Sequence, residues 1–249
     1  MLSKDLSFSN PEKNILLDEV LFYLAENDKS DPILRFWEMT DPCLVLGRAS
    51  NEEDDLFLDN ILEDNLKVLR RCSGGGTVYQ AKGCLNYALI LPRTFNSHLA
   101  YLKGSYEFIV DYIIRALGSL NVQAEFRPIS DIALKINNKK ISGNAQKRGR
   151  RFILHHGTIL YGLDFNPLER YLRIPKNVPE YRQGRSHQDF VANVPVGIKE
   201  LKTAIKNVFC VSEEQNTLTS AEEKTLRHFL ENKSPFVSFE NFFQSPHYA

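Results

Sequence analysis

The stretch RRCSGGGTVYQ, running Arg70-Arg71-Cys72-Ser73-Gly74-Gly75-Gly76-Thr77-Val78-Tyr79-Gln80 and continuing AKGCLNY to Tyr87, decides how this chain is read. Three consecutive glycines can reach φ > 0 and carry no β-carbon to hold other groups away. Their amides are able to point inward at an anion, with arginine charge close by. Residues 66–69 read as a strand before the glycines and 85–91 as another after them, so the glycines lie on a strand-to-strand connection. A tight hairpin turn and an anion-binding loop both satisfy these residues.

Outward toward the N-terminus, 33–37 and 43–46 read as short strands split by the turn-like Thr40-Asp41-Pro42. Asn10-Pro11 is an N-cap followed by proline at the first helical position, and it opens a helix to about residue 26. Ile15, Leu16, Val20, Leu21 and Leu24 recur along it at helical spacing. The acidic stretch 52–64 carries Leu56, Phe57, Ile61 and Leu62 and predicts one amphipathic surface helix with a solvated charged face. Toward the C-terminus, 98–120 is the longest helical pattern, with Phe108, Ile109, Tyr112, Ile113 and Leu117 as its core stripe. Strands are expected at 131–136, 140–146 and 152–160, the first two joined at Asn137-Asn138. Helices follow near 198–208 and 220–231, the second with a capping-box pattern Ser220-x-x-Glu223. Residues 175–196 are polar and irregular. Strands in runs with helices outside them indicate an α+β fold.

The 249 residues are 43% hydrophobic and 25% charged, with 31 Lys+Arg against 31 Asp+Glu. That composition suits a globular protein with a sizeable core and points away from a dedicated nucleic-acid binder. No apolar run approaches the roughly 20 residues that span a bilayer, and the N-terminus lacks the apolar centre of a secretory signal. Cys43, Cys72, Cys84 and Cys210 are scattered without CxxC spacing, so neither a disulfide framework nor a zinc site is expected and the cytoplasm is the expected location.

The second chemical segment is 139–160. In a regular strand Lys139 and Lys140 face opposite ways. If Lys140 faces inward, Ser142 and Asn144 share its face, while Ile141 and Gly143 take the other. Such a face suits a polar ligand. An edge strand guarded by solvated lysines is the other reading. Adjacent His155 and His156 diverge in a strand and do not easily bind one ion. The cluster 147–151 reads as an exposed basic turn open to an acidic partner or to phosphates. No GxxxxGK[ST], GxGxxG or GxSxG occurs, which weakens P-loop, Rossmann and hydrolase readings.

Together these segments resemble the catalytic domain of the superfamily of lipoate–protein ligase A, octanoyltransferases and biotin–protein ligases. The pattern RRxSGGGxVxHDxGNLNY, then ND…KxSGxA and HHGTLL, is matched in order by Arg70 to Gln80, Asp131, Lys140-Ile141-Ser142-Gly143-Asn144-Ala145 and His155-His156-Gly157-Thr158. Phe36-Trp37 and Leu46-Gly47-Arg48 resemble the family's early strands. Biotin ligases tend instead to carry a GRGRxG-like loop. The resemblance covers about the first two thirds of the chain.

The resemblance implies an α+β domain with a mixed or antiparallel sheet flanked by helices, spanning 1–249 as one catalytic domain. The helices of about 198–249 would be an appendage, with no accessory domain. It implies a cleft where an acyl chain and ATP meet, lined by Arg71, Ser73, Gly74, Gly75, Gly76, Thr77, Val78 and Tyr79. Lys140 would be the catalytic lysine touching acyl carboxylate and phosphate, with Asp131, Ser142, Gly143 and His156 around it. Two anions repel until cations and amide donors neutralise them, which is the work such a lysine would do. ATP and Mg²⁺ are implied, with Asp131 as ion ligand or lysine partner, and lipoate or octanoate as substrate. The implied partners are lipoyl-domain acceptors (2-oxoacid dehydrogenase acyltransferase subunits or glycine cleavage H protein) and a separate small accessory protein. Neither nucleic acid nor membrane is implied.

The chain departs from the pattern at Gln80, where His is usual, and Cys84, where Asn is usual. Octanoyltransferases hold their acyl group on a cysteine, but this chain has Ile153 at one such position and 126–130 without a thiol at the other. An acyl-cysteine transferase using Cys72 or Cys84, and a non-catalytic binding relative, are the rival readings.

Overall fold

The computed structural model describes residues 1–28 and 31–239. Strand β1 (Leu2–Asp5) runs parallel to β2 (Ile33–Trp37), with helix α1 (Pro11–Asp28) between them in sequence. The Asn10 side-chain oxygen accepts the amides of Glu12 and Lys13 at 2.8 and 3.3 Å. Pro11 takes the first helical position, where a missing N–H is harmless. The predicted 52–64 helix is divided into α2 (Glu52–Asp55) and α3 (Leu58–Glu63). Leu56 between them is extended and bridges Leu172, and the Phe57 amide donates to the Tyr171 carbonyl at 3.0 Å, so tertiary pairing overrides the helical pattern.

The next strands are β3 (Cys43–Leu46), β4 (Lys67–Arg70) and β5 (Val78–Gln80), which form a small sheet in the order β4-β3-β5. The main sheet adds β6 (Cys84–Pro92), β7 (Ala124–Arg127), β8 (Asp131–Leu134), β9 (Lys140–Arg148), β10 (Phe152–Leu160) and β11 (Glu213–Glu214), in the order β11-β1-β2-β6-β10-β9-β8-β7. Central β6 is buried along nearly its whole length because helices cover both faces. On one face α1 packs with α8 (Ser220–Asn232) against Ile33, Ile90 and Leu154. On the other, α4 (Leu102–Ser119) and α7 (Ile198–Val208) pack against Phe36, Leu89 and Ile153. Short α5 (Leu168–Tyr171) precedes the 175–196 stretch that reads as irregular, and short α6 (His187–Phe190) lies within it.

α4 matches α1 in length, and a separate 3₁₀ turn at Ser97–Ala100 precedes it, so 98–120 is not one helix. The capping box sits one residue earlier than expected, on Thr219 and Glu222. Glu222 is thereby turned inward to the buried Lys4 amine at 3.0 Å. No helix among the described residues is long and apolar enough to cross a membrane. Of the predicted 198–249 helical tail, residues 240–249 lie outside the described residues.

Candidate active site

The glycine segment is not a hairpin. β4 runs parallel to β3 while β5 runs antiparallel to it, so residues 71–77 cross over the end of β3. They pass very close to Gly47: a β-carbon there would stand 1.9 Å from the Gly75 carbonyl oxygen. Gly75 itself has φ +83°, which favours glycine.

Arg71 shapes this crossing. Its guanidinium donates to the carbonyls of Gly74 and Gly76, both at 2.7 Å, to Val45 O at 3.1 Å and to Ser73 Oγ at 3.1 Å. In a trans peptide the C=O and the following N–H point opposite ways. The amides of Gly75 and Thr77 therefore face away from Arg71. Among the described residues Arg71 has no carboxylate partner, and burial pushes its pKa down to about 10. Arg70 is turned elsewhere: it pairs with Glu52 and donates to the carbonyls of Gly47 and Ser50 at 2.8 Å.

Lys140 opens β9. A bulge breaks the β8–β9 register between Ile132 and Ala133, so regular alternation fails at the lysine. Its Nζ stands 2.9 Å from where a Gly143 β-carbon would be, whereas Ile141 is buried in the core beside Ile132. The lysine thus shares a face with Gly143, not with Ser142 and Asn144 as strict alternation predicts. The amine meets Asp131 Oδ1 at 2.8 Å, and the Tyr181 hydroxyl donates to Asp131 Oδ2 at 2.7 Å. Burial first, then the Asp131 charge, hold the Tyr181 phenol well above its usual range.

Asn144 is a strut. Its amide donates to Ser130 O at 2.8 Å, while its oxygen accepts from the Tyr87 hydroxyl and faces His155 Nε2 at 3.2 Å. His155 Nδ1 faces the Gln146 amide at 2.9 Å, so the ring is a neutral link, and burial drops its pKa to about 3. His156 points the other way. Its Nε2 is 2.5 Å from Ser73 Oγ and its Nδ1 is 3.3 Å from Asp18 Oδ2. Asp18 also pairs with buried Arg35 at 2.5 Å. The two histidines share no ion site, and no cluster of three metal-binding side chains occurs among the described residues.

These groups surround a cleft of about 640 Å³, within the usual range for small-molecule sites. Arg71, Gly75, Gly76, Thr77, Val78, Tyr79, Asp131, Lys140, Ser142, Gly143 and His156 line it. Ser73 does not: it is buried behind the loop and reaches the cleft only through His156. Gly74 is exposed outside it. Sequence reasoning misses Asp18, Tyr106, Asn86, Tyr181 and Arg182, which also border the cleft or hold its residues. Asp18 leaves a trace, as an acid amid Leu16, Leu17, Val20 and Leu21, whereas nothing around Tyr181 and Arg182 marks them. Gln80 closes a ring with Thr158 and Asn86: its amide donates to Thr158 Oγ1 at 2.9 Å, which donates to Asn86 Oδ1 at 2.7 Å, and Asn86 returns to Gln80 Oε1 at 2.9 Å.

The thiols are quiet. Burial pushes Cys72 and Cys84 up to about 12, and only Cys72 borders the cleft. Within the basic 147–151 cluster, Lys147 pairs with Glu19 at 2.8 Å and Arg148 donates to Leu99 O at 2.7 Å, so neither is a free surface charge as expected.

The family model for the lipoyl protein ligase A/B catalytic domain matches residues 10–210. The chain is 31% identical over 236 residues to the probable lipoate-protein ligase A of Mycoplasma genitalium, covering 93% of this chain and 68% of that protein. It is 30% identical over 193 residues to the probable lipoate-protein ligase A of Mycoplasma pneumoniae, covering 78% and 55%. It is 32% identical over 196 residues to the human mitochondrial lipoyl amidotransferase, covering 78% and 48%. The chain therefore spans about half to two thirds of the length of these relatives. Among solved structures, it shares its fold with the bipartite lipoate protein ligase of Thermoplasma acidophilum, described with its E2 lipoyl domain, at TM-score 0.79 and 22% identity over 100% of this chain and 96% of that one. A lipoate-protein ligase A bound with ATP gives TM-score 0.79 and 22% identity over 97% and 98%.

Proposed function

The chain belongs to the lipoyl protein ligase A/B catalytic-domain family, and from that premise we propose that it is an ATP-dependent lipoate–protein ligase. It joins lipoate to AMP and then passes the lipoyl group to a lysine of an acceptor lipoyl domain. The observation that carries this reading is Lys140, which a bulge lifts onto the cleft face while Asp131 fixes its amine at 2.8 Å. Arg71, without a carboxylate partner among the described residues, adds positive charge to the same cleft. Such a site suits a carboxylate meeting a phosphate, because preorganised cations offset their repulsion and stabilise charge that develops in the transition state.

Lys140 is the catalytic residue in this reading. The glycine loop from Gly75 to Tyr79 forms one wall for the nucleotide and acyl chain, and His156 holds that wall through Ser73. Asp131 is a single carboxylate with both oxygens engaged, so the described residues alone build no metal site. An Mg²⁺ ion arriving with ATP would be held largely by phosphates and water. Asp131 is the side chain that would reach it.

An acyl-cysteine transferase is disfavoured by the raised pKa values of Cys72 and Cys84, since the thiolate is the nucleophile. The fold shared with a chain of the bipartite archaeal ligase is in keeping with a separate small accessory protein as partner. Lipoate- or octanoate-dependent exchange of pyrophosphate into ATP, measured with and without such a partner, tests the reading. Acceptor lipoylation without ATP, through an acyl-enzyme trapped by intact mass, would replace it with the transferase.

A further inference from the structure

Two arginines are buried among the described residues, and they are treated differently. Arg35 has Asp18 at 2.5 Å. Arg182, 4% exposed, has no ion-pair partner among the described residues. Its Nε donates to Arg185 O at 2.9 Å and its guanidinium stacks over the Phe190 ring at 4.8 Å, but its buried Nη2 has no hydrogen-bond partner among the described residues. A buried charge left without an opposite charge is costly, and Arg182 borders the cleft that also holds Lys140.

The turn that carries this side chain is not loose. Arg182 N donates to Pro179 O at 2.9 Å, and Arg185 Nη2 donates to Tyr181 O at 2.7 Å and to Asn138 O at 3.1 Å, which ties the turn to the β8–β9 hairpin. The neighbouring Tyr181 hydroxyl holds Asp131, the partner of Lys140. The charges around Arg182 are Glu169, Arg185 and the Tyr181 phenol; Glu169 spends Oε1 on the amides of His187 and Gln188 at 2.6 and 3.2 Å.

We propose that Arg182 is a second anion subsite of the cleft, in which Nη2 receives a phosphate oxygen of the nucleotide. This rests on the reading of the cleft as a nucleotide site. The guanidinium fork suits a phosphate better than a lysine amine would, and its rigid mounting means that little ordering is needed on binding.

The test is calorimetric titration of the full chain, as wild type, Arg182→Gln and Arg182→Lys, with ATP, inorganic pyrophosphate and lipoate. Arg182→Gln is expected to weaken ATP and pyrophosphate binding by about 10- to 100-fold, in line with charge-assisted hydrogen bonds, and to leave lipoate affinity unchanged. Arg182→Lys, which keeps the charge and gives a folded comparison if the glutamine variant fails to fold, should fall between the two. Unchanged ATP and pyrophosphate binding in both variants, or no polyphosphate binding by wild type, would overturn the subsite. ATP-dependent lipoylation that is indifferent to Arg182 would defeat the subsite and leave the proposed function standing. Arg182-dependent polyphosphate binding without any lipoate binding would do the reverse.

Discussion

Lys140 Nζ lies 2.8 Å from Asp131 Oδ1 across a register shift that puts the lysine on the face of Gly143. The bulge is what makes the pair possible, since strict alternation would carry the amine to the opposite face. Asp131→Asn removes the charge that fixes the amine while keeping its size. Lipoate-dependent pyrophosphate exchange is expected to fall by roughly 100-fold, the scale of losing one preorganised electrostatic contact. Tyr181→Phe removes only one hydrogen bond and should cost about 10-fold or less. A wild-type rate in Asp131→Asn would detach the pair from the chemistry.

The crossing of the glycine loop over Gly47 leaves no room for a methyl group. Gly47→Ala sets a β-carbon 1.9 Å from the Gly75 oxygen and must displace the loop, at a cost of about 1–3 kcal/mol for overpacking. Thermal unfolding should show a lower Tm together with weaker ATP binding. Gly118→Ala is the control: nothing lies within 4 Å of its β-carbon on α4, so it should stabilise by roughly 0.5–1 kcal/mol. Equal behaviour of the two variants would contradict the packing.

Raised thiol pKa values disfavour an acyl group carried on Cys72 or Cys84. Cys72→Ala and Cys84→Ala should each keep near-wild-type lipoylation, and intact mass should find no acyl-enzyme during turnover. Loss of both activity and an acyl adduct in one variant would show the transferase chemistry.

Neutral His155 gives stability a pH dependence of known sign. Its folded pKa of about 3 lies below the ordinary value of about 6.5, so between these values the unfolded chain takes up a proton that the folded chain refuses. Stability contributed by the neutral ring is complete above about pH 6.5 and is lost as pH falls toward 3, by up to about 1.4 kcal/mol per pH unit. His187, also held down mainly by burial, adds in the same direction. Urea unfolding at pH 7 and pH 5 should therefore show a smaller pH effect in His155→Gln than in wild type. An identical pH effect in the two proteins would mean that His155 is not the neutral strut between Gln146 and Asn144.

The sequence carries the frame of this site and misses its folds. The strand and helix patterns, with Asn10-Pro11 and Phe152–Leu160, predict an α+β sheet, and the family resemblance carried by the ordered SGGG, KISGNA and HHGT segments implies loop and lysine in one cleft. It does not reveal that β4 and β5 flank β3, because strand order depends on long-range pairing that no local pattern encodes. The bulge at Lys140 is equally hidden: Ile141 is the extra residue of β9 against β8, and such a register depends on long-range pairing. β1 is invisible for a similar reason. Its Ser3 and Lys4 are polar, yet both are buried, Lys4 on Glu222 more than 200 residues away in the chain. Tyr181 and Arg182 lie in a stretch without periodicity, so only the turn that docks on Asp131 and Asn138 gives them a role.

The most direct measurement is the intact mass of an acceptor lipoyl domain incubated with this chain and either lipoyl-AMP or lipoate with ATP. One lipoyl group on the acceptor lysine, formed by wild type and lost in Lys140→Ala, is the predicted result. An acceptor left unmodified under both conditions, or modified equally by Lys140→Ala, would contradict it.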